Sequence, residues 1–190
     1  MRVLSIALFF PIVLAAQIPA PIWLDRPLSN WNSAGSAMPR PAAYEESIAG
    51  IAKRCDVTSK RATPAERSVS DAGWIPFYVF DRQVVQGDVE IIGGLSAADG
   101  MCRPVNYNVF VFVGARFAGT LSPVRMTSRV DGAIGAVRLS QEGIIAAEFM
   151  RYVERDPLCC PSGRVTLRYH VDRTSTPPLV VPSAMQPTRR

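Results

Sequence analysis

The stretch 105-VNYNVFVFVGARFAGTL-121 decides the fold class of this chain. Its first half is rich in β-branched and aromatic residues, which are enriched in strands. Gly114 lies where a tight hairpin turn needs a residue without a side chain. We therefore expect residues 106–113 and 116–121 to pair as an antiparallel hairpin.

Strand-like stretches lie on both sides of this hairpin, at 74–81, 84–95, 133–139, 144–153 and 163–171. The last of them alternates cleanly, with an apolar face that consists of Val165, Leu167, Tyr169 and Val171 and a polar face that consists of Arg164, Thr166, Arg168 and His170. Alternation with a period of two is typical of a half-buried strand. The pattern as a whole predicts an antiparallel sheet meander.

One helix is expected before the strands. After Pro41, apolar residues recur at steps of three and four, namely Tyr44, Ile48, Ile51, Ala52 and Cys55. Glu45 and Glu46 would occupy its first turn and Lys53 and Arg54 its last, an order that complements the helix dipole. The polar segment 56–71 is expected to be a loop. The predicted fold class is therefore α+β, with one N-terminal helix packed on a face of the antiparallel sheet.

The beginning of the chain has the order of a secretory signal peptide. One positive charge precedes an apolar run at 3–14, and small residues follow. The run is too short to cross a bilayer as a permanent helix. We expect residues 1–16 to be removed close to Ala16, with Ala20 as a later option, and we expect a secreted or periplasmic protein with no membrane span after cleavage. The alternatives are an uncleaved anchor and a buried first helix.

The segments next to the predicted domain are rich in proline. Residues 17–41 are expected to form a linker, or an arm laid along the domain, in which Trp23 and Trp31 would dock on the domain or on a partner. Residues 174–190 are expected to be a disordered tail. The remaining residues, 42–173, form the predicted α+β domain.

The charge of the chain favours no nucleic-acid partner. Among 190 residues, 21 are Lys or Arg and 16 are Asp or Glu, which gives a formal charge of +5 without a basic run. Almost all of the positive charge is arginine, whose planar fork grips phosphate and carboxylate. This composition fits contact with an anionic envelope surface, although ordinary solvated arginines would give the same composition.

Four cysteines, Cys55, Cys102, Cys159 and Cys160, indicate disulfides in an exported protein. A bond between the adjacent Cys159 and Cys160 would close a strained ring around one peptide bond. We therefore expect them to bond with Cys55 and Cys102, in an order that the sequence leaves open. The alternatives are one disulfide with free thiols, and a redox-active pair, which the flanking prolines disfavour.

The sequence offers little catalytic machinery. His170 is the one histidine, and it lies on the polar face of its predicted strand. The chain contains no G-x-S-x-G, H-E-x-x-H, phosphate-loop or dinucleotide motif. We expect no catalytic residue, no metal and no cofactor. The alternative is a small secreted hydrolase that uses carboxylates such as Asp88 and Glu90, or His170.

The favoured hypothesis is a non-enzymatic binding or structural domain whose partner is an unknown envelope component or protein. The expected contact is the sheet face or the loops near Cys102 and Cys159, and the loop before Cys102 is favoured because glycine-rich loops next to a disulfide are exposed and held in place. Turn geometry alone would also explain these glycines. The candidate binding residues are Gly93, Gly94, Asp99 and Arg103.

The stretch 109-VFVFVGARFAGTLSP-123 resembles the hairpin of the LppP/LprE family of bacterial envelope lipoproteins. The residues that carry the resemblance are Cys102, Arg103 and Pro104 before the hairpin, and Gly114, Phe117, Gly119 and Thr120 in it. The resemblance implies an exported, small α+β domain of unknown biochemical role and offers no catalytic residues. The lipid-bearing cysteine of such lipoproteins is missing, because the first cysteine is Cys55.

Overall fold

The computed structural model describes residues 22–57, 62–79 and 83–189, and it places the predicted hairpin in a six-stranded antiparallel sheet, called sheet A. The strands of sheet A are β1 (Ile75–Phe77), β2 (Val84–Gln86), β3 (Val89–Ala98), β4 (Pro104–Val113), β5 (Arg116–Thr120) and β6 (Met126–Thr127). Strands β3 and β4 lie at its centre. β1 and β2 both pair with β3, and β5 and β6 both pair with β4.

The hairpin prediction is confirmed. β4 pairs with β5, and Val113 lies opposite Arg116 at the turn. Gly114 adopts φ +55° and Ala115 adopts φ +63°. Two consecutive residues with positive φ match the twist of the flanking strands, which is why a glycine begins this two-residue turn.

Sheet B contains the four remaining strands. They are β7 (Ile134–Leu139), β8 (Ile145–Arg151), β9 (Gly163–Asp172) and β10 (Leu179–Arg189), in the spatial order β10-β9-β8-β7. The predicted apolar face of β9 is confirmed, because Val165, Leu167 and Tyr169 are buried. All neighbouring strands of sheet B are antiparallel.

The prediction of a disordered tail at 174–190 is wrong for residues 179–189, which form β10. β10 pairs with β9 along its whole length, from Leu179 opposite Asp172 to Arg189 opposite Gly163. β10 is an edge strand of sheet B. An edge strand tolerates proline because one side of its backbone needs no ladder partner, so the prolines of this segment do not prevent pairing.

The first helix, α1 (Ile48–Arg54), is shorter than predicted. Ser47 caps it by accepting a hydrogen bond from the Gly50 N–H at 3.1 Å. Tyr44 is 53% exposed, so it does not belong to a packed face, and Ile51 is the buried residue of the helix. The two glutamates precede the helix, whereas Lys53 and Arg54 occupy its last turn as predicted.

The segment 56–71, predicted to be a loop, contains a second helix, α2 (Pro64–Asp71). Thr63 and Glu66 form a capping box, and Pro64 occupies the first helical position. Both features stabilise a helix start, because they satisfy N–H groups that lack a partner or remove one. The residues T-P-A-E at 63–66 are therefore a helix-start signal that the sequence itself contains.

The two faces of sheet A enter two different cores. Valines of β4, including Val109 and Val111, pack with apolar residues of sheet B. Phe110 and Phe112 instead pack with Ala65 and Val69 of α2. Because both faces of β4 are covered, its sequence reads V-F-V-F-V without polar alternation.

The layers are therefore α2, sheet A and sheet B, with α1 packed near β3. The predicted α+β class with antiparallel strands is confirmed. The prediction of one sheet and one helix underestimated the count, because the described chain has two of each.

Residues 22–41, called the N-terminal arm, lie along the domain. Leu24 is buried, and the Trp23 ring packs edge-on against Phe149 with centroids 5.0 Å apart. The Trp31 ring packs edge-on against Tyr169 at 6.1 Å. Of the two expectations for this segment, the docked arm is the one observed. The predicted signal peptide, residues 1–16, lies outside the described residues.

Candidate functional site

The disulfide pairing differs from the prediction. Cys55 bonds with Cys102, and their Cα atoms are 5.4 Å apart. Neither cysteine is therefore available to Cys159 or Cys160, which lie exposed in the turn between β8 and β9. The prediction failed because it assumed that every cysteine takes part in a disulfide, whereas the packing of α1 near β3 brings Cys55 and Cys102 to each other.

The turn that carries the adjacent cysteines is held by hydrogen bonds. The Asp156 carboxylate accepts the backbone N–H groups of Val153 and Ser162 at 2.9 and 2.8 Å. The Tyr152 hydroxyl donates to the Leu158 carbonyl at 3.1 Å. The shape of this turn therefore does not depend on a disulfide to another element.

Gly93 and Gly94 do not lie in an exposed loop. Both are buried inside β3. A Cβ atom at Gly93 would collide with the Phe77 ring, and one at Gly94 would collide with Phe110. The expectation that these glycines lie in an exposed loop is wrong, because they are buried where aromatic rings approach the strand closely.

Asp99 and Arg103 lie in the turn between β3 and β4, and they bond with each other. The Asp99 carboxylate accepts the backbone N–H groups of Met101 and Arg103 at 2.9 and 3.0 Å, and Arg103 Nε at 2.6 Å. The hydrogen bond from the Arg103 N–H is the main cause that holds the Asp99 pKa below its ordinary value. Arg54 donates to the Asp99 carbonyl at 2.9 Å. The charges of this turn are therefore used within the fold.

The two carboxylates of the alternative hydrolase hypothesis, Asp88 and Glu90, are also held by other partners. Arg173 binds both carboxylate oxygens of Asp88, at 2.7 and 2.9 Å, and these hydrogen bonds lower the Asp88 pKa. Glu90 accepts from the Thr63 hydroxyl at 3.0 Å. His170 is exposed, and it borders a cleft of about 280 Å³ that Asp88 also borders. The structure does not bring Glu90 to this cleft.

A cleft of about 480 Å³ lies between the N-terminal arm and the edge of sheet A. Four kinds of residue line it: aromatic rings, small polar groups, arginines, and small or aliphatic residues. They are Trp31, Trp74 and Phe117; Asn32, Ser33, Ser36, Asn108, Thr120 and Ser122; Arg40 and Arg125; and Ala37, Pro39, Pro123 and Val124. Its size falls in the range of small-molecule sites.

Hydrogen bonds fix the arm wall of this cleft. Asn32 Nδ2 donates to the carbonyls of Thr120 and Val180, both at 3.1 Å, and Asn32 Oδ1 accepts the Thr120 N–H at 2.9 Å. The Trp31 indole N–H donates to the Thr120 carbonyl at 3.1 Å. Gly119 adopts φ +139°, and a Cβ there would collide with Asn32. Because Gly119 has no side chain, Asn32 of the arm can pack against the hairpin at this position.

The far end of the arm and the floor of the cleft are also bonded. The Trp74 indole N–H donates to the Pro39 carbonyl at 2.7 Å. Asn108 is buried, and its Nδ2 donates to the carbonyls of Ser122 and Val124 at 3.3 and 3.4 Å. The arm, β4 and the segment after β5 therefore form one connected wall.

The cleft has a positive lining. Arg40 and Arg125 are exposed, and neither forms an ion pair with any residue that the structure describes. No aspartate or glutamate of the described chain lines the cleft. Guanidinium groups in a concave site without carboxylates attract anions.

The positive lining continues past Arg125. Arg125 and Val124 also border a neighbouring cleft of about 300 Å³, which Trp23 and Arg26 line as well. Asp131 lines this second cleft, but its carboxylate accepts a hydrogen bond from Arg151 at 2.9 Å. Arg26 is exposed and forms no ion pair within the described ranges.

Sequence reasoning missed this cleft. Asn32 and Thr120 are 88 residues apart, so no local pattern shows that they meet. The available signal was the pair of tryptophans in a proline-rich segment, which indicated that the segment docks on something.

The two described α-helices have seven and eight residues, and no helix within 22–57, 62–79 and 83–189 has the length and apolar character to cross a membrane.

Comparison with known proteins finds a similarity in the core of the chain. No curated protein and no solved structure matches the chain. A family model matches residues 90–174, which run from β3 past the end of β9 and leave out the N-terminal arm, both helices and β10. This family is the LppP/LprE lipoproteins, so residues 90–174 of the chain are similar to part of a lipoprotein family.

Proposed function

We propose that this protein is an exported, non-enzymatic binding domain, secreted or periplasmic, and that an anionic envelope component binds in the cleft between the N-terminal arm and sheet A. The partial match to a lipoprotein family supports a place in the envelope. The alternative hydrolase has less support, because Asp88 is ion-paired with Arg173 and Glu90 lies away from the cleft at His170.

One observation carries the proposal: Arg40 and Arg125 line a concave site to which the described part of the chain brings no carboxylate. A guanidinium presents several donors in a planar fork that matches phosphate and carboxylate. Two such groups at one cleft repel each other weakly, and a bound anion relieves that repulsion. Arg103 and Arg173 differ from this pair, because each already has an aspartate partner.

The test is co-sedimentation of the protein with purified bacterial cell walls that keep their attached anionic polymers. The cleft variant is R40E/R125E. The matched control is R138E/R168E, which makes the same charge change on the outer face of sheet B. Arg138 and Arg168 are both exposed, and both lie opposite Ala146 in the sheet.

Wild type and the control are expected to sediment with the walls, and the cleft variant is expected to bind at least about tenfold more weakly, since each charge-assisted hydrogen bond contributes about 1.5 to 3 kcal/mol. Equal loss in both variants would show that only the net charge matters and would overturn the proposal. Failure of wild type to sediment would overturn it as well.

A further inference from the structure

The two clefts on either side of Arg125 form one continuous surface. The larger cleft contains Arg40 and Arg125, and the smaller one contains Arg125 and Arg26. Val124 borders both. Three arginines that have no ion-pair partner among the described residues therefore lie one after another beside the N-terminal arm, with Arg125 in the middle. We call this surface the arginine track.

We infer that the ligand is an extended anionic glycan whose repeated phosphate or carboxylate groups contact Arg40, Arg125 and Arg26 in turn. The inference rests on the proposed function, because it uses the same cleft and adds the second one. A ligand with a single anionic group can contact only one part of this surface. A polymer with charges at intervals uses all three guanidinium groups, and its affinity rises with the number of groups engaged at once.

The other groups of the clefts suit a sugar. Ser33 and Ser36 line the larger cleft, and their hydroxyls make no hydrogen bond with the described residues. These hydroxyls can donate to and accept from sugar hydroxyls. Trp31 and Phe117 in the larger cleft and Trp23 in the smaller one are partly exposed. The negative face of an aromatic ring attracts the C–H face of a sugar ring.

The shape of the site favours a chain over a lipid surface. The three arginines line clefts, and a single polymer chain enters a cleft, whereas the headgroup plane of a bilayer meets convex surfaces. Basic residues that bind a bilayer usually form a cluster on an exposed helix or next to a membrane anchor. The inferred source of the anionic groups is therefore a polymer chain.

The test is isothermal titration calorimetry with two probe series of one, four and eight units, namely oligogalacturonates, which carry carboxylates, and oligo(ribitol phosphates). Each series is measured on wild type, R26Q, R40E/R125E and the control R138Q, at low and high salt. In at least one series, wild-type affinity is expected to rise at least about tenfold from one unit to eight, because each further charged unit adds a contact at high effective concentration. High salt is expected to weaken the binding of the long probes more than that of the single units.

R26Q tests the length of the track. It is expected to remove most of the gain in affinity between four and eight units and to weaken binding of the single unit by much less. R138Q is expected to match wild type with every probe. The same affinity for all lengths, or an R26Q variant that equals wild type throughout, would overturn the glycan inference and leave the proposed function standing.

Two further outcomes distinguish a failure of the glycan inference from a failure of the proposed function. If R40E/R125E binds every probe like wild type, the cleft is not the site, and both the proposed function and the inference fail. If vesicles that contain phosphatidylglycerol bind more tightly than both probe series, and R40E/R125E abolishes that binding, the anionic groups come from lipid. The proposed function then stands and the glycan inference is overturned.

Discussion

The turn that follows β3 and the cleft beneath the N-terminal arm both place arginines next to sheet A, but they use them differently. In the turn, Arg103 bonds with Asp99, and Arg54 bonds with backbone carbonyls of the same region. In the cleft, Arg40 and Arg125 have no acidic partner among the described residues. Arginines that are paired within the fold hold the chain, whereas unpaired arginines in a concave site are available to a ligand.

The sequence favoured the turn after β3 as a binding site, because its glycines and cysteine next to charged residues are typical of a binding loop. It did not indicate the cleft. The comparison predicts that changes in the turn alter stability and not binding, and that changes of charge in the cleft alter binding and not stability. The four experiments that follow test this division, from the largest expected change in stability to the smallest.

The first prediction concerns the disulfide that joins the end of α1 to the turn. Cys55 and Cys102 are separated by 47 residues. Loop-closure entropy of that length corresponds to about 4 kcal/mol of stabilisation. The variant C55S/C102S is therefore expected to lose about 4 kcal/mol in urea unfolding, and any molecules that remain folded should bind cell walls like wild type.

The matched control for the disulfide is C159S, which changes an exposed thiol outside it. Its free energy of unfolding is expected to stay within about 0.5 kcal/mol of wild type, as for most surface substitutions. A C159S variant as unstable as C55S/C102S would mean that Cys159 is part of the cross-linking, contrary to the observed pairing.

The second prediction concerns the arm. Trp31 packs against Tyr169 and donates a hydrogen bond to Thr120. W31A is expected to cost about 3 kcal/mol, toward the lower limit for large aromatic residues because Trp31 is only partly buried. The same variant is expected to expose the arm to limited proteolysis and to weaken wall binding.

The control for the arm is Y44A, which removes an aromatic side chain that is 53% exposed. It is expected to change the free energy of unfolding by less than about 0.5 kcal/mol. If W31A instead keeps its stability and its resistance to protease, the arm does not depend on Trp31 for its position, and the cleft loses its defined wall.

The third prediction uses pH to probe the turn. Hydrogen bonds, first of all from the Arg103 N–H, lower the pKa of Asp99 below the ordinary value of 3.8. Because the folded-state pKa is the lower one, the stabilisation by this carboxylate is present above pH 3.8 and is lost as the pH falls through the folded-state pKa.

Two measurements check the Asp99 prediction. An NMR titration of the carboxyl group is expected to give a pKa below 3.8. Urea midpoints of D99N are expected to fall less steeply than those of wild type as the pH is lowered from 5 toward 2. If the Asp99 pKa is ordinary and the urea midpoints of wild type and D99N fall in parallel, the charges of this turn do not stabilise the fold.

The fourth prediction is the smallest change in stability. R40Q/R125Q removes two exposed cations that have no ion-pair partner in the described chain. The free energy of unfolding is expected to change by less than about 0.5 kcal/mol. A loss of more than about 2 kcal/mol would show that these arginines stabilise the fold, as the arginines of the turn do.

The parts of the fold that follow from local patterns could be predicted from the sequence. The hairpin around Gly114 and the buried face of β9 depend on a turn and on a period of two within about ten residues. The helix α2 also has a local signal, the capping box of Thr63 and Glu66, but the polar composition of the segment concealed it.

The remaining features depend on contacts between distant residues. The pairing of Cys55 with Cys102 follows from the packing of α1 near β3, and β10 forms because β9 offers it an edge in spite of its prolines. The cleft requires Asn32 to meet Thr120 and Val180, which no short-range pattern shows. Unpaired arginines are visible only once the positions of all described carboxylates are known.

NMR mapping of the anion site on the isotope-labelled protein, titrated with the eight-unit oligogalacturonate and, separately, with oligo(ribitol phosphate), tests the central claim most directly. The account predicts that amide shifts concentrate at residues 23–26, 31–40 and 117–125, together with the Trp31 indole N–H, while residues 99–103 and the outer face of sheet B stay unchanged. Shifts concentrated at residues 99–103 or around Arg138 and Arg168, with the cleft unaffected by both probes, would contradict it.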